Sequence, residues 1–256
     1  MPNWIDLEGL ANLRDLGGIP TIDGAKIKSG RLLRSDNLQS LTDGDVAELL
    51  DRGLTDVVDL RSDFEVTSEG PGPLTARDDI AIHHHSLIPE DEEADDEVAD
   101  EVLPWVGLAP TVQVSNQVTS IYLSYVADRP QSVVAALREI AHAEGATLVH
   151  CAAGKDRTGT VVALALLLAG AEPEAVVADY AASTERMRAI LDRLLASDTY
   201  YENLRGRPLA SHITYPETMA AFLEHLDQEW GGVEELLAPH GWTTADTAAL
   251  RAKLCD

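Results

Sequence analysis

Apolar residues recur along this chain with a helical period in some segments and form short runs in others. Residues 111–127 carry apolar side chains at intervals of three and four, and so does the segment after Pro130, where Val133 and Leu137 fall on one face. Thr42 precedes Asp45 by three residues, which is close to a capping box. These criteria predict helices over 42–51, 111–127, from 130 onward, 157–169, 172–182, 184–196, 216–230 and 243–254.

Short apolar runs bounded by turn residues predict strands, at 31–34, 55–61, 80–86 and 146–150. Asp23-Gly24 predicts a hairpin turn between short strands. Strands alternate with helices before residue 150, and helices dominate after it. The predicted fold class is therefore α/β: a central, mostly parallel sheet flanked by helices, with extra C-terminal helices. The 256 residues show no repeat and no clear linker, so we expect one domain over 1–256.

Composition narrows the classes of function. The formal net charge is −25, which disfavours nucleic acid as a partner because phosphate backbones are bound by basic surfaces. Nine of the twelve residues in 90–101 are acidic, and we expect a solvated loop there.

The N-terminus lacks the pattern of a signal peptide, and no apolar run is long enough for stable membrane insertion. Two cysteines, Cys151 and Cys255, form no disulfide framework, so we expect a cytoplasmic protein. The sequence does not predict the oligomeric state.

The segment that carries chemistry runs from Val149 to Gly159, and it lies between a predicted strand and a predicted helix. Successive backbone amides in such a loop, together with the positive end of the helix dipole, bind a tetrahedral anion. The small residues Ala152, Ala153 and Gly154 would let the backbone approach that anion closely. We therefore expect a phosphate-binding loop over residues 152–157.

Each polar side chain of this loop has an expected role. Cys151 would attack phosphorus as a thiolate, which helix N-termini and nearby arginines stabilise. Arg157 would grip two equatorial phosphoryl oxygens, and Asp156 would protonate the leaving oxygen. Lys155 would add a positive charge near the phosphate or near a second anionic group of the substrate. This covalent route requires no metal or other cofactor.

Three further residues are expected to support the loop. Thr158 would hydrogen-bond the sulfur, and His150 would orient the loop rather than act as a base. Asp156 could instead cap the following helix, in which case Asp59, at the end of a strand, is the reserve proton donor. A structural hydrogen bond remains the preferred interpretation of Asp59. Asp36 and the acidic segment 90–101 are weaker alternatives for the acid.

Other interpretations of these residues agree less well with the sequence. A free cysteine is usually a core residue, but the context around Cys151 argues against that reading. A Walker loop would need glycine at position 149 and serine or threonine at position 156, where this chain has Val149 and Asp156. The three histidines 83–85 lie on a predicted strand, where alternate side chains point to opposite faces. We therefore expect no metal site there. Arg14 and Asp15 are expected to brace the glycine turn at 17–18, with a substrate contact as the alternative. Arg34 and Arg61 are expected to be ion-paired scaffold residues.

The segment from His150 to Gly159 resembles the HCxxGxxR[S/T]G signature of the protein tyrosine phosphatase superfamily. Its fuller form, HCxxGKDRTG, resembles a bacterial branch of tyrosine-phosphatase-like proteins. Segments 12–18, 33–38 and 57–61 match that branch too, so the resemblance spans residues 10–165 and extends toward the whole chain. It implies Asp156 as general acid and a helical lid at about 179–210. The chain departs from eukaryotic members, since no aspartate follows Trp105 to form their acid-bearing Trp-Pro-Asp loop.

The resemblance implies hydrolysis of phosphotyrosine, and also of phosphoserine, phosphothreonine or phosphoinositides. The lysine within the loop resembles that of phosphoinositide-cleaving members, which keeps a phosphoinositide phosphatase open as the alternative. The expected partner is therefore a phosphorylated protein or a phosphoinositide. A catalytically idle phosphate-binding module and a sulfur-transfer or arsenate-reducing enzyme are weaker alternatives, because every group needed for hydrolysis is present and Cys255 is the only other cysteine.

Overall fold

The structure is a computed structural model that describes residues 1–89 and 110–255. The expectation of a solvated acidic loop at 90–101 falls outside the described residues. The strands within the described part are β1 (Asn3–Trp4), β2 (Arg14–Asp15), β3 (Leu32–Ser35), β4 (Leu54–Asp59), β5 (Ala81–His84) and β6 (Ala146–His150). The helices there are α1 (Asp43–Asp51), α2 (Asp63–Glu69), α3 (Gln117–Asp128), α4 (Pro130–His142), α5 (Arg157–Leu168), α6 (Pro173–Ala182), α7 (Met187–Leu194), α8 (Asp198–Leu204), α9 (Pro216–Trp230), α10 (Val233–Leu237) and α11 (Thr244–Leu254).

These six strands form one mixed sheet in the order β1-β2-β3-β6-β4-β5. The first two pairings are antiparallel, and β3, β6, β4 and β5 run parallel to one another. This confirms the predicted α/β class with a mostly parallel sheet. Strand β6 lies in the middle, so the loop that follows it opens at the carboxyl end of the sheet. Parallel α/β sheets place ligand sites at that edge.

Two hydrophobic clusters cover the faces of the sheet. The larger one contains buried side chains of α3, α4, α5, α9 and α11, with Leu137, Leu164 and Phe222 fully buried. The smaller cluster packs α1 and the N-terminal segment against β3, β4 and β6, with Leu49 fully buried. Helix α5 lies within the larger cluster and is buried nearly all round, so the loop before it has a rigid support.

Most predicted elements are present, and the errors have local causes. The helix predicted from residue 111 begins at Gln117, because the Asn116 side chain accepts from two backbone amides and caps the helix there. The segment predicted as one helix over 184–196 is a 3₁₀ turn followed by α7. The prediction omitted α2, α8 and α10, which are only five to seven residues long. Asp23 and Gly24 do form a turn, but isolated bridges flank it instead of strands.

The histidine run follows the alternation expected of a strand. His83 and His85 both approach Glu139, at 3.3 and 3.6 Å, whereas His84 contacts the carbonyl oxygen of Arg61 at 2.8 Å on the other face. No helix in the described part of the chain has both the length and the apolar character needed to cross a bilayer.

Candidate active site

The loop between β6 and α5 is held by close backbone packing and by side chains from the N-terminal segment. Gly154 has a φ of +67°, and a Cβ added there would lie 2.2 Å from the carbonyl oxygen of Ser35. Asn12 donates to the carbonyl oxygens of Ala153 and Gly154 at 3.0 and 3.1 Å, and Arg34 donates to Gly154 at 2.8 Å. Because C=O and N–H of a trans peptide point in opposite directions, the amides that follow these carbonyls face away from Asn12 and Arg34.

Cys151 begins this loop directly after β6, with 2% of its surface exposed. Its side chain lines a small enclosed cavity together with the loop residues Ala152, Ala153, Lys155, Asp156 and Arg157. The sequence placed these residues in one loop, and in the structure they also line one cavity.

Arg157, the first residue of α5, is fixed by a residue that the sequence analysis did not single out. Both of its terminal nitrogens donate to the carboxylate of Glu65 on α2, which is fully buried. Burial would lower the pKa of Arg157, but Glu65 raises it well above its ordinary value. Nε of Arg157 is buried and has no hydrogen-bond partner within the described residues. The guanidinium is therefore charged and oriented, and its Nε has no acceptor among the described residues.

Asp156 occupies the N-cap position of α5, but its side chain makes no capping hydrogen bond to the residues described. Instead, Oδ1 accepts a hydrogen bond from the hydroxyl of Tyr122 at 2.6 Å. That hydroxyl lies 2.9 Å from the hydroxyl of Tyr180. Oδ2 lies 3.7 Å from Nζ of Lys155, which donates to the carbonyl of His212 at 3.0 Å. The capping interpretation of Asp156 is thus wrong, and its carboxyl contacts Tyr122 and Lys155 instead.

Asp59, the reserve proton donor, is bound by the Arg61 side chain at two points, 2.9 and 2.6 Å. Burial would raise the pKa of Asp59, but the neighbouring His150 and the bonds from Arg61 hold it well below its ordinary range. A carboxyl that stays ionised has no proton to donate at neutral pH. The arrangement therefore favours the structural interpretation of Asp59.

His150 and Thr158 flank the loop. Burial lowers the pKa of His150 to about 4, so the ring is neutral at pH 7, and Nδ1 lies 3.3 Å from the carbonyl oxygen of Cys151. A contact with the loop backbone agrees with the expected orienting role. The hydroxyl of Thr158 is buried and has no hydrogen-bond partner in the described ranges, so the expected bond to the sulfur is not formed in this structure.

Helices α7 and α8 lie over the loop. Met187, Ile190 and Tyr200 are at most 1% exposed, and they pack with Ala152 in a separate hydrophobic cluster. Polar contacts attach these helices to the N-terminal half: Arg193 donates to Asp36 at 3.0 Å. The cavity above Cys151 has a volume of only about 20 Å³. That volume admits about one water molecule.

A second, more open cavity of about 370 Å³ lies on the other side of Asp156. Asp156 and Lys155 line both cavities, and the second is also lined by Tyr122, Tyr180 and Arg207. Asp156 therefore lies between the enclosed cavity at Cys151 and an open cleft.

Asp179 on α6 forms ion pairs with two arginines on the outer side of the loop. Its carboxylate accepts from Arg14 at 2.8 Å and from Arg34 at 2.6 Å. Burial and the neighbouring Arg34 lower the pKa of Arg14 to about 10. Asp15 braces the glycine turn as expected, accepting from the amide of Gly17 at 2.8 Å. Arg14 does not: its side chain turns toward Asp179.

Comparisons with known proteins show the family of the chain. The family model described as "Tyrosine phosphatase family" matches residues 5–256. The chain belongs to the tyrosine phosphatase family. It is 31% identical to the "Triple specificity protein phosphatase PtpB" of Mycobacterium tuberculosis (strain ATCC 25618 / H37Rv) over an alignment 281 positions long, gaps included, which covers 97% of this chain and 98% of that protein. It is 29% identical to a "Tyrosine-protein phosphatase" of Nostoc commune over an alignment 253 positions long, gaps included, which covers 92% of this chain and 78% of that protein.

Within this family member, sequence reasoning missed Glu65, Tyr122 and Asp179. Glu65 had a signal, since Ser62 and Glu65 form a capping box that predicts a helix start. That signal does not reveal the contact with Arg157, which lies 92 residues away. Tyr122 lies in the helix predicted over 111–127, and the apolar spacing there indicates a buried face but not the contact with Asp156.

A cavity of about 790 Å³, larger than either cavity beside Asp156, lies elsewhere on the phosphatase, between α6, α9 and α10. Leu167, Val177 and Leu223 are among its apolar lining residues. None of the predicted site residues lines it, so charge and hydrogen bonding rather than cavity size indicate the candidate active site.

Proposed function

We propose that this chain is a cysteine-dependent phosphatase that hydrolyses phosphotyrosine, and also phosphoserine or phosphothreonine, through a phosphocysteine at Cys151. The observation that carries the proposal is the position of Arg157: a buried guanidinium, held by Glu65, lines the same cavity as Cys151 and keeps Nε without an acceptor among the described residues. A phosphoryl oxygen would supply the acceptor that buried N–H groups require.

The first step transfers the phosphoryl group to sulfur. Sγ of Cys151 bonds to phosphorus while the bond to the leaving oxygen breaks, and Asp156 gives that oxygen a proton. Arg157 and the loop amides stabilise the charge on the equatorial oxygens. In the second step, water attacks phosphorus, the S–P bond breaks and the carboxylate of Asp156 accepts the proton from water.

Substrate entry requires helices α7 and α8 to move. A cavity of about 20 Å³ cannot admit an aryl phosphate, because benzene by itself occupies a cavity of about 150 Å³. We therefore assign α7 and α8 to the lid expected at about 179–210. The open cleft beyond Asp156 is the side on which a leaving group would meet the acid.

Phosphoinositide hydrolysis by the same mechanism is the second candidate. Lys155 and Arg207 both line the cleft beside Asp156 and would face further phosphates of such a substrate. The name of the Mycobacterium relative, with its triple specificity, supports testing more than one class of substrate.

A turnover panel tests both candidates. Phosphotyrosine, phosphoserine and short-chain phosphoinositide substrates are compared for the wild type, Cys151→Ser and Cys255→Ser. We expect Cys151→Ser to lose all turnover, because the proposed covalent intermediate forms on this one cysteine. Cys255→Ser should keep the wild-type turnover within about twofold. The ranking of substrates decides between the two candidates. Turnover that survives Cys151→Ser would contradict the mechanism.

A second arm tests the acid. Asp156→Asn should lower the rate with a poor leaving group by about 10²–10⁴-fold. Acid quenching of the wild type during turnover should trap labelled phosphate on Cys151. A loss below tenfold in Asp156→Asn would show that another group protonates the leaving oxygen.

A further inference from the structure

Tyr122 makes the hydrogen bond that orients the carboxyl of Asp156. The tyrosine projects from α3 and is 1% exposed, and its hydroxyl donates to Oδ1 at 2.6 Å. The hydroxyl of Tyr180, on α6, lies 2.9 Å from it. Three separate segments of the chain thus meet in one short row of hydroxyl and carboxyl groups.

The direction of these bonds follows from the protons available. Burial raises the pKa of Tyr122 well above its ordinary value, and the nearby charge of Asp156 raises it further. Burial likewise raises the pKa of Tyr180 well above its ordinary value. Both phenols therefore keep their protons at neutral pH. When Asp156 is a carboxylate, Tyr180 donates to Tyr122, and Tyr122 donates to Oδ1.

This donation makes the two oxygens of Asp156 unequal. Oδ1 is occupied by Tyr122, whereas the nearest cation to Oδ2 is Lys155 at 3.7 Å. The capping bond that usually fixes an aspartate at an N-cap is not made to the described residues. The Tyr122 hydroxyl therefore holds the plane of the carboxyl, and Oδ2 is the oxygen that exchanges a proton with the substrate.

We propose that Tyr122 is a positioning residue for the proposed general acid, with Tyr180 fixing the direction of its hydroxyl. The inference rests on the proposed function. The physical reason is that a general acid must hold its proton within hydrogen-bond reach of the leaving oxygen. Small displacements of a reacting group cost large factors in rate, so a freely rotating carboxyl would protonate the leaving oxygen less often.

The ring of Tyr122 also packs, which a test must separate from its hydroxyl. The ring lies edge-on to Tyr180 and Phe222, with centroids 6.0 and 6.3 Å away. Tyr122→Phe keeps this packing and removes only the hydrogen-bond donor. Tyr125, on the same helix, supplies a matched control, because it is also buried and its hydroxyl has no partner among the residues described.

The experiment compares kcat/KM for two aryl phosphates, because this constant covers the steps up to phosphocysteine formation. Phenyl phosphate has a poor leaving group that needs the acid, whereas p-nitrophenyl phosphate has a good one. We expect Tyr122→Phe to lower kcat/KM by about tenfold or more with phenyl phosphate and by less than about threefold with p-nitrophenyl phosphate. The larger loss is a part of the rate enhancement that a general acid typically contributes. Tyr125→Phe should keep the wild-type ratio of the two constants.

The double variant gives the decisive readout. In an Asp156→Asn background, Tyr122→Phe should change kcat/KM for phenyl phosphate by less than about twofold. The reason is that the effects of two substitutions are not additive when one residue acts through the other. Equal losses on both substrates, or an undiminished loss in the Asp156→Asn background, would show that Tyr122 acts only through the fold. Turnover that survives Cys151→Ser would instead refute the proposed function itself, so the two failures are distinguishable.

Discussion

The buried ion pair between Arg157 and Glu65 gives the sharpest prediction about this site. Glu65→Gln keeps the shape of the side chain but removes its charge. One carboxylate oxygen becomes an NH₂ group, which would face an N–H of Arg157 with a second donor. The amide of Ser62 also donates to this carboxylate, at 2.8 Å, so part of the helix cap of α2 is affected too.

The magnitude follows from burial. Both side chains are at most 3% exposed, so water cannot replace the lost partner. Removing one partner of a buried pair costs about 3–5 kcal/mol, because the other charge remains buried and uncompensated. Total unfolding free energies of about 5–15 kcal/mol make this a large fraction of the stability. Since Arg157 also loses its orientation, we expect kcat/KM to fall by about 10²–10³-fold, as when one donor to a developing oxyanion is removed.

Urea denaturation at pH 7 measures the first effect, and turnover of p-nitrophenyl phosphate measures the second. Asp63→Asn is the control, since it lies in the same helix turn, is 71% exposed and contacts His84 at 3.4 Å. The control should change the unfolding free energy by less than about 1 kcal/mol. A Glu65→Gln variant that stays within 1 kcal/mol of the wild type and keeps its kcat/KM would refute the assigned role of the pair.

Three further predictions concern the surroundings of the loop. Burial lowers the pKa of His150 from 6.5 to about 4, so the unfolded chain binds a proton at this histidine more tightly than the folded chain does. The unfolding free energy should therefore fall by about 3 kcal/mol as the pH drops from 6.5 to 4, and His150→Gln should lack this part of the loss. Arg193→Ala removes a contact that holds α7, so iodoacetamide should alkylate Cys151 several-fold faster than in the wild type; an unchanged rate would count against a moving lid. Gly154→Ala meets the backbone at 2.2 Å and should destabilise far more than Gly18→Ala, which has a positive φ but open space; equal urea midpoints would refute this.

Elements with strong local signals were predictable from the sequence. The helix beginning at Pro130 and the strand before Cys151 both match their expected positions, because a proline at the first helical position and an apolar run act within a few residues. The short helices α2, α8 and α10 escaped prediction because five to seven residues carry too little periodicity to be distinguished from turns.

The sequence by itself determined the loop from Cys151 to Arg157, since a strand, a tight turn with Gly154 and a helix N-terminus are local properties of consecutive residues. Only the tertiary structure decided which side chains surround it. Glu65 and Tyr122 lie 92 and 34 residues away from the loop residues that they contact. Such contacts depend on the order of strands in the sheet and on how helices pack across it, and no periodicity within a single segment encodes them.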